Sequence, residues 1–192
     1  MNILIFESKF TTQKMEGWLS FINVFKKDYK LFILTESKES KQIFKSTFKD
    51  IECISLNEKI HNKSLSPERV NKIYNKYRES NIFIERLSIK SSFNSILKNN
   101  KNKYEETVSL HIDFIENFVE INNINKVLMC IVESYQSYVY SIIENIFNIN
   151  NKECLLFQHP LLRGFIYDNQ LRYSEDIFQK YKASLNTNIN ND

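Results

Sequence analysis

The sequence predicts a doubly wound α/β fold, a parallel sheet of five to six strands with helices on both faces. Three observations carry that expectation. Short apolar runs rich in branched residues alternate with longer segments of helical periodicity. The run Lys126 to Val132 (KVLMCIV) is continuously apolar, as in a strand covered on both faces. Helix-start signals fall between the runs, as at Ser66-Pro67-Glu68.

Taken in order, Asn2 to Phe6 (NILIF) reads as a buried first strand ending at Glu7-Ser8. Met15, Trp18, Leu19, Ile22 and Phe25 recur at helical spacing and define a helix with one face on the sheet. Leu31 to Leu34 reads as the second strand. Ser37 to Phe48 follows as the second helix, with Ile43, Phe44 and Phe48 inward, and Ile51 to Leu56 as the third strand. Beyond it, Ser66 is the expected N-cap of a helix whose Val70, Ile73, Tyr74 and Tyr77 line one face.

Ile82 to Ile96 fits no single pattern, and Lys98 to Lys103 (KNNKNK) reads as a solvated turn. Tyr104 to Glu120 is a helix by the spacing of Tyr104, Val108, His111, Ile112, Ile115, Phe118 and Val119. Lys126 to Val132 is the fourth strand, and Ser134 to Phe147 an amphipathic helix. Cys154 to Phe157 is the fifth strand, Gly164 to Tyr167 a short sixth, and Ser174 to Tyr181 a closing helix. The expected organisation is one α/β domain over 1–183 with a helical insertion at about 57–125, then an Asn-rich frayed tail over 184–192.

Composition narrows the function. The chain has 192 residues, 42% hydrophobic and 26% charged, enough for one domain with a core. Its 26 basic and 23 acidic residues are interleaved, so no nucleic-acid partner is expected. The start lacks the pattern of a secretory signal, and no apolar run reaches the roughly 18 to 20 residues of a membrane span. The expected location is cytoplasmic, with peripheral membrane association left open. Cys53, Cys130 and Cys154 are widely spaced in strand-like runs and read as buried thiols. The two glycines exclude both a GxGxxG dinucleotide fingerprint and a GxxxxGK[ST] phosphate loop. No HxxxH, HExxH or Cys/His cluster suggests a metal, and no GxSxG elbow suggests a serine hydrolase.

In an open parallel sheet, ligands bind beyond the strand carboxyl ends where strand order reverses. For the order 3-2-1-4-5 that point lies between the first and fourth strands. The residues it gathers are Glu7 and Ser8, then Glu133, Ser134 and Tyr135, then Gln158, His159 and Arg163. Glu133 or Glu7 would be a general base, His159 a titratable imidazole and Arg163 an anion partner, a set suited to sugar hydroxyls or phosphate. Each has a plainer role too. Glu133 can stabilise a helix amino end, His159 can fix the turn before Pro160, and Arg163 can form a surface salt bridge. His111 falls on an inward helix face and reads as a core or boundary histidine; His61 lies in a polar loop. The aromatics Trp18, Tyr74, Tyr77, Tyr104, Tyr135 and Tyr138 read as core before ligand platform.

From about Val127 to Tyr181 the chain carries VES at a strand end, the helix SYQSYVYSIIENIFNI, the strand CLLFQHP, and then LLRGFIYDNQLRYSEDIFQKY. This region resembles the amino-terminal half of bacterial capsular and surface polysaccharide biosynthesis proteins of the glycosyltransferase B type. The matching positions are Glu133, Arg163 and Phe165-Ile166-Tyr167-Asp168, with Ile84-Glu85-Arg86 a looser match. The resemblance covers a quarter to a third of the chain by motif, and the rest as Rossmann-like architecture. Glu7 to Lys14 departs from it by lacking glycine.

The resemblance implies an acceptor-side domain that takes a saccharide or lipid-linked saccharide. It implies no tightly bound cofactor. The nucleotide-sugar donor would be held mainly by a second domain of the glycosyltransferase B fold, supplied by a longer chain or a partner, so these residues alone would be incomplete for catalysis. Within it Glu133 is the expected catalytic base or hydroxyl ligand, and Glu7, Ser134, His159 and Arg163 the substrate-binding set. Two other readings stay open: a non-catalytic interaction or scaffold protein that dimerises through aromatic helix faces, and a flavodoxin-like nucleotide-binding regulator, for which Thr11-Thr12 is the one favourable feature.

Overall fold

The computed structural model describes residues 1–78, 101–130, 138–157 and 166–168. They form a six-stranded sheet: β1 (Asn2–Phe6), β2 (Lys30–Thr35), β3 (Glu52–Ser55), β4 (Ile124–Cys130), β5 (Glu153–Phe157) and β6 (Ile166–Asp168). Across the sheet the order is β3-β2-β1-β4-β5-β6. The first five strands are all parallel, and the order reverses between β1 and β4 as expected. This is the Rossmann-like order; the flavodoxin-like order is 2-1-3-4-5.

The sixth strand pairs antiparallel with β5, through Leu155 opposite Asp168 and Phe157 opposite Ile166. Only eight residues, 158–165, join the two strands. A parallel return needs a crossover of about a dozen residues or more, so the chain can only double back.

The pleat sorts the core into two layers. Leu4, Phe6, Phe32, Leu34, Val127, Met129, Cys154 and Leu156 face one side. Ile3, Ile5, Leu31, Ile33, Cys53, Leu128 and Leu155 face the other. That second side is covered by α1 (Thr12–Phe25) and α2 (Lys38–Thr47). The first is covered by α3 (Leu56–Ile60), α4 (Pro67–Tyr77), α5 (Lys101–Ile121) and α6 (Tyr138–Ile149). Burial holds the Cys53 thiol up at about 12 and raises that of Cys154 as well.

Caps explain where the helices begin. Thr11, Ser37, Ser55 and Ser66 each accept a hydrogen bond from the backbone N–H three residues on, and Pro67 stands in the first turn of α4. Thr11 is therefore a helix cap, and α1 starts at Thr12, three residues before the first inward residue of its pattern.

Ends are stopped by asparagine. Asn62, Asn123 and Asn151 have φ of 59°, 48° and 52°, and they follow α3, α5 and α6. After α6 the Lys152 N–H donates to Phe147 O at 2.8 Å and the Asn151 N–H to Asn148 O at 3.1 Å. Those two bonds close a Schellman turn, with Asn in the position that glycine usually fills.

Several expectations need correction. The helix expected from Tyr104 starts at Lys101, so the second half of the KNNKNK run is helical. β4 begins at Ile124, two residues early, and a short helix, α3, follows β3 directly. Leu19 and Tyr74, both placed inward by spacing, are exposed, while Phe21 is buried in the α1 face instead. The positions expected for the closing helix and the polar tail lie outside the described residues, as does the unassigned stretch from Ile82 to Ile96.

Candidate functional site

The end of the sheet where the strands finish is laced together before any ligand is considered. Ser8 O accepts both the Thr35 hydroxyl, at 3.1 Å, and the Glu36 N–H, at 3.3 Å. Glu36 O in turn accepts the Ser55 hydroxyl at 3.2 Å and the Asn57 N–H at 3.0 Å. The ends of β1, β2 and β3 thus form a fixed polar wall, the kind of preorganisation a binding rim requires.

The pleat decides which way the two acids on that wall turn. In β1, Phe6 faces the α5/α6 layer, so the next residue, Glu7, faces the α1 layer. There Glu7 is 0% exposed. Its Oε1 accepts from Lys14 Nζ at 3.1 Å and its Oε2 from Trp18 Nε1 at 3.1 Å. A buried carboxylate tied to a cation and an indole fastens the first turns of α1 to the sheet. Of the residues predicted at the site, Glu7 and Ser8 lie within the described residues. Glu133, Ser134, His159 and Arg163 lie outside them, as do Tyr135 and Gln158.

Glu36 turns the opposite way, along the face carrying Phe32 and Leu34. It lies close enough to Tyr138 to push that phenol up, after burial, the larger cause, with Tyr104 adding to both. Tyr138 in turn meets His111: its hydroxyl lies 3.2 Å from Nδ1 and 3.3 Å from Nε2. Thr107 O sits 2.7 Å from Nδ1 and can only accept, so Nδ1 carries the proton and Nε2 accepts from Tyr138. Burial drives the His111 pKa down to about 4, against the smaller pull of Thr107 O, so the imidazole is neutral. Tyr140 completes the group, stacked edge-on against Phe6 with its hydroxyl accepting from the Ser8 N–H at 3.4 Å.

Spacing alone marked His111 and Tyr138 as core, and they are buried. What it missed is Glu36. The signal was present, since Glu36 follows the second strand as Glu7 follows the first.

The corner between β1 and α1 is no phosphate cradle. Phe10 is fully buried there, its N–H donating to Ser40 Oγ at 3.0 Å, and the Glu7 carboxylate lies beneath the start of α1. A phosphate at that helix end would meet a negative charge instead of the bare amides that bind anions.

Two hollows lie elsewhere, one on each flank of α5, each of about 510 Å³. Among the described residues no group of three His, Cys, Asp or Glu side chains could hold a metal ion, and no helix is long and apolar enough to cross a membrane. In comparisons with known proteins, no family model, curated protein or solved structure matches this chain.

Proposed function

We propose that this chain is a glycosyltransferase-like domain of bacterial surface or capsular polysaccharide biosynthesis, binding a saccharide or lipid-linked saccharide acceptor at the strand carboxyl ends between β1 and β4. The observation that carries the reading is the reversal of strand order at that point, with the partly buried Glu36 beside it over the buried group of Tyr104, His111, Tyr138 and Tyr140.

In this reading Glu133 is the base or hydroxyl ligand, Ser134, His159 and Arg163 are polar or phosphate contacts, and Glu7 braces α1 beneath them. The nucleotide-sugar donor belongs to a second domain, so sugar transfer needs that domain as well. The test is saturation-transfer NMR of the chain against a panel of free oligosaccharides and polyprenyl-phosphate-linked sugars. Glu133→Gln and Arg163→Ala should abolish acceptor signals while leaving the thermal melt in place. Unchanged signals in both variants would defeat the assignment.

The alternatives have less support. An interaction protein would use exposed apolar side chains, and those on the helices are Leu19 on α1 in one layer and Tyr74, Ile121 and Ile149 on α4, α5 and α6 in the other. A flavodoxin-like regulator would need the other strand order.

A further inference from the structure

A helix that covers one face of a sheet needs a single apolar stripe, and α5 carries two. Tyr104, Val108, Ile112, Ile115 and Val119 are buried in the core layer. Leu110, Phe114, Phe118 and Ile121 recur at the same spacing and line the hollow between α5 and the β3–α3 segment. Phe118 meets Phe32 of the sheet edge-on, while Phe114, Ile60 and Leu65 are only partly buried. Ile121 is 78% exposed. The second stripe therefore faces a groove, with Ile54 of β3 also in its lining.

The wall opposite α5 is fixed by its own local bonds. Ser55 caps α3, Asn62 turns the chain at φ 59°, and the Lys63 N–H donates to Ile60 O at 3.0 Å. Ser66 then caps α4, and the ion pair of Arg69 with Asp113, at 2.6 Å, ties α4 to α5. The groove is thus preformed, which lowers the cost of filling it.

Shape limits what can enter. The volume of about 510 Å³ falls within the roughly 300–1,000 Å³ of small-molecule sites. From Leu110 to Ile121 the helix rises about 16 Å. Spread over that length, 510 Å³ gives a mean cross-section of about 30 Å². A helix about 10 Å across needs about 80 Å², and an extended peptide, about 4.7 by 10 Å with its side chains, needs about 47 Å². The groove is too slender for either and has room for a single hydrocarbon chain.

Its rim is charged. Lys59 and Lys63 line it, both exposed and neither in an ion pair among the described residues. Of its two acids, Asp113 is committed to Arg69, which leaves Glu52 against the two lysines. A neutral chain would leave those ammonium groups unanswered, and a small hydrophilic anion would leave the apolar stripe in water. A chain that ends in a carboxylate answers both features.

We infer that this groove alone binds one slender apolar chain ending in a carboxylate, the chemistry of a medium-chain fatty acid, with its chain along Leu110, Phe114 and Phe118 and its head at Lys59 and Lys63. Glu52 opens β3 and Ile121 ends α5, so the groove reaches the end of the sheet opposite the strand carboxyl ends. The inference is therefore independent of the reading given to the carboxyl rim.

Calorimetric titration of the whole chain with decanoate, kept below its micelle concentration, should show saturable one-to-one binding. Butanoate, with the same head and little chain, should not saturate, and decyltrimethylammonium should bind at least about tenfold more weakly. Lys59→Glu combined with Lys63→Glu, both at exposed positions, should weaken decanoate at least about tenfold and leave decanol within about twofold. Lys27→Glu, on the far layer, should change neither. Phe114→Asp should abolish decanoate binding in a chain that still melts cooperatively. Should that variant not fold, amide shifts of the unmodified chain decide, and they should centre on 59–65 and 110–121. Absence of saturation, several equivalent sites per chain, equal affinity for the ammonium, undiminished binding in the double lysine variant, or shifts centred elsewhere would each overturn the inference.

Discussion

Lowering the pH from 8 to 5 should destabilise the fold through His111 alone by about 2 kcal/mol. The imidazole is 3% exposed, and burial holds its pKa at about 4, below the ordinary 6.5. Because the folded value is depressed, the native state keeps the ring neutral while the unfolded chain takes up a proton below 6.5. The contribution is therefore complete above pH 6.5 and is lost as pH falls toward 4. The full shift corresponds to about 3 kcal/mol, of which about 2 is gone at pH 5. For a chain of this size that loss lowers the melting temperature by about 4–8 °C.

The assay is urea unfolding at half-unit steps from pH 5 to 7.5, run on the wild type and on His111→Gln. Glutamine can still donate to Thr107 O and accept from Tyr138, but it does not titrate. Carboxylates elsewhere affect both proteins alike, so the difference between the two curves isolates the imidazole. That difference should shrink toward pH 5. Parallel curves would refute the burial argument, because a histidine with an ordinary pKa contributes no slope.

Lys14→Met removes the cation beside a carboxylate with 1% side-chain exposure and should cost about 3 kcal/mol, the usual penalty for orphaning a buried charge. Glu7→Gln in the same background should recover a large part of that loss in thermal melts, and no recovery would show that the pair is not what fixes α1. At Asn123, with φ of 48°, replacement by alanine should cost about 1 kcal/mol, since a Cβ without a polar side chain is poorly tolerated in the left-handed region. Asn123→Gly should be neutral or slightly stabilising, and the reverse order in denaturant titrations would contradict the helix-stop assignment.

Strand cores were the most legible part of the sequence, for a physical reason. A strand covered on both faces must be apolar without alternation, so LFIL, KVLMC and CLLF announce themselves. The cap at Ser66-Pro67 was legible as well, because it does local chemistry that needs no tertiary partner, whereas Ser37, read as helical, is itself a cap. Helix edges were not. Lysine and asparagine at 101–103 read as solvent-facing turn, yet lysine is a good helix former and the long α5 extends through them. Leu19 and Phe21 exchanged roles because an apolar stripe wider than the contact leaves spacing unable to choose which edge is buried.

Of the candidate site, the point of strand-order reversal was legible and the side chains around it were not. Strand order placed a rim between β1 and β4, and that depends only on topology. Which acid faces which layer depends on the pleat: Glu7 turns to α1 and is tied down by Lys14 and Trp18, while Glu36 turns to the tyrosines. One residue of register is enough to exchange a brace on α1 for a neighbour of the tyrosines.

Scarcity of glycine links these observations. With two glycines in the chain, left-handed helix stops fall to Asn62, Asn123 and Asn151, which accept that backbone at lower cost than other side chains. The same scarcity denies the β1–α1 corner a close backbone approach to phosphate, and Phe10 and Glu7 occupy it instead.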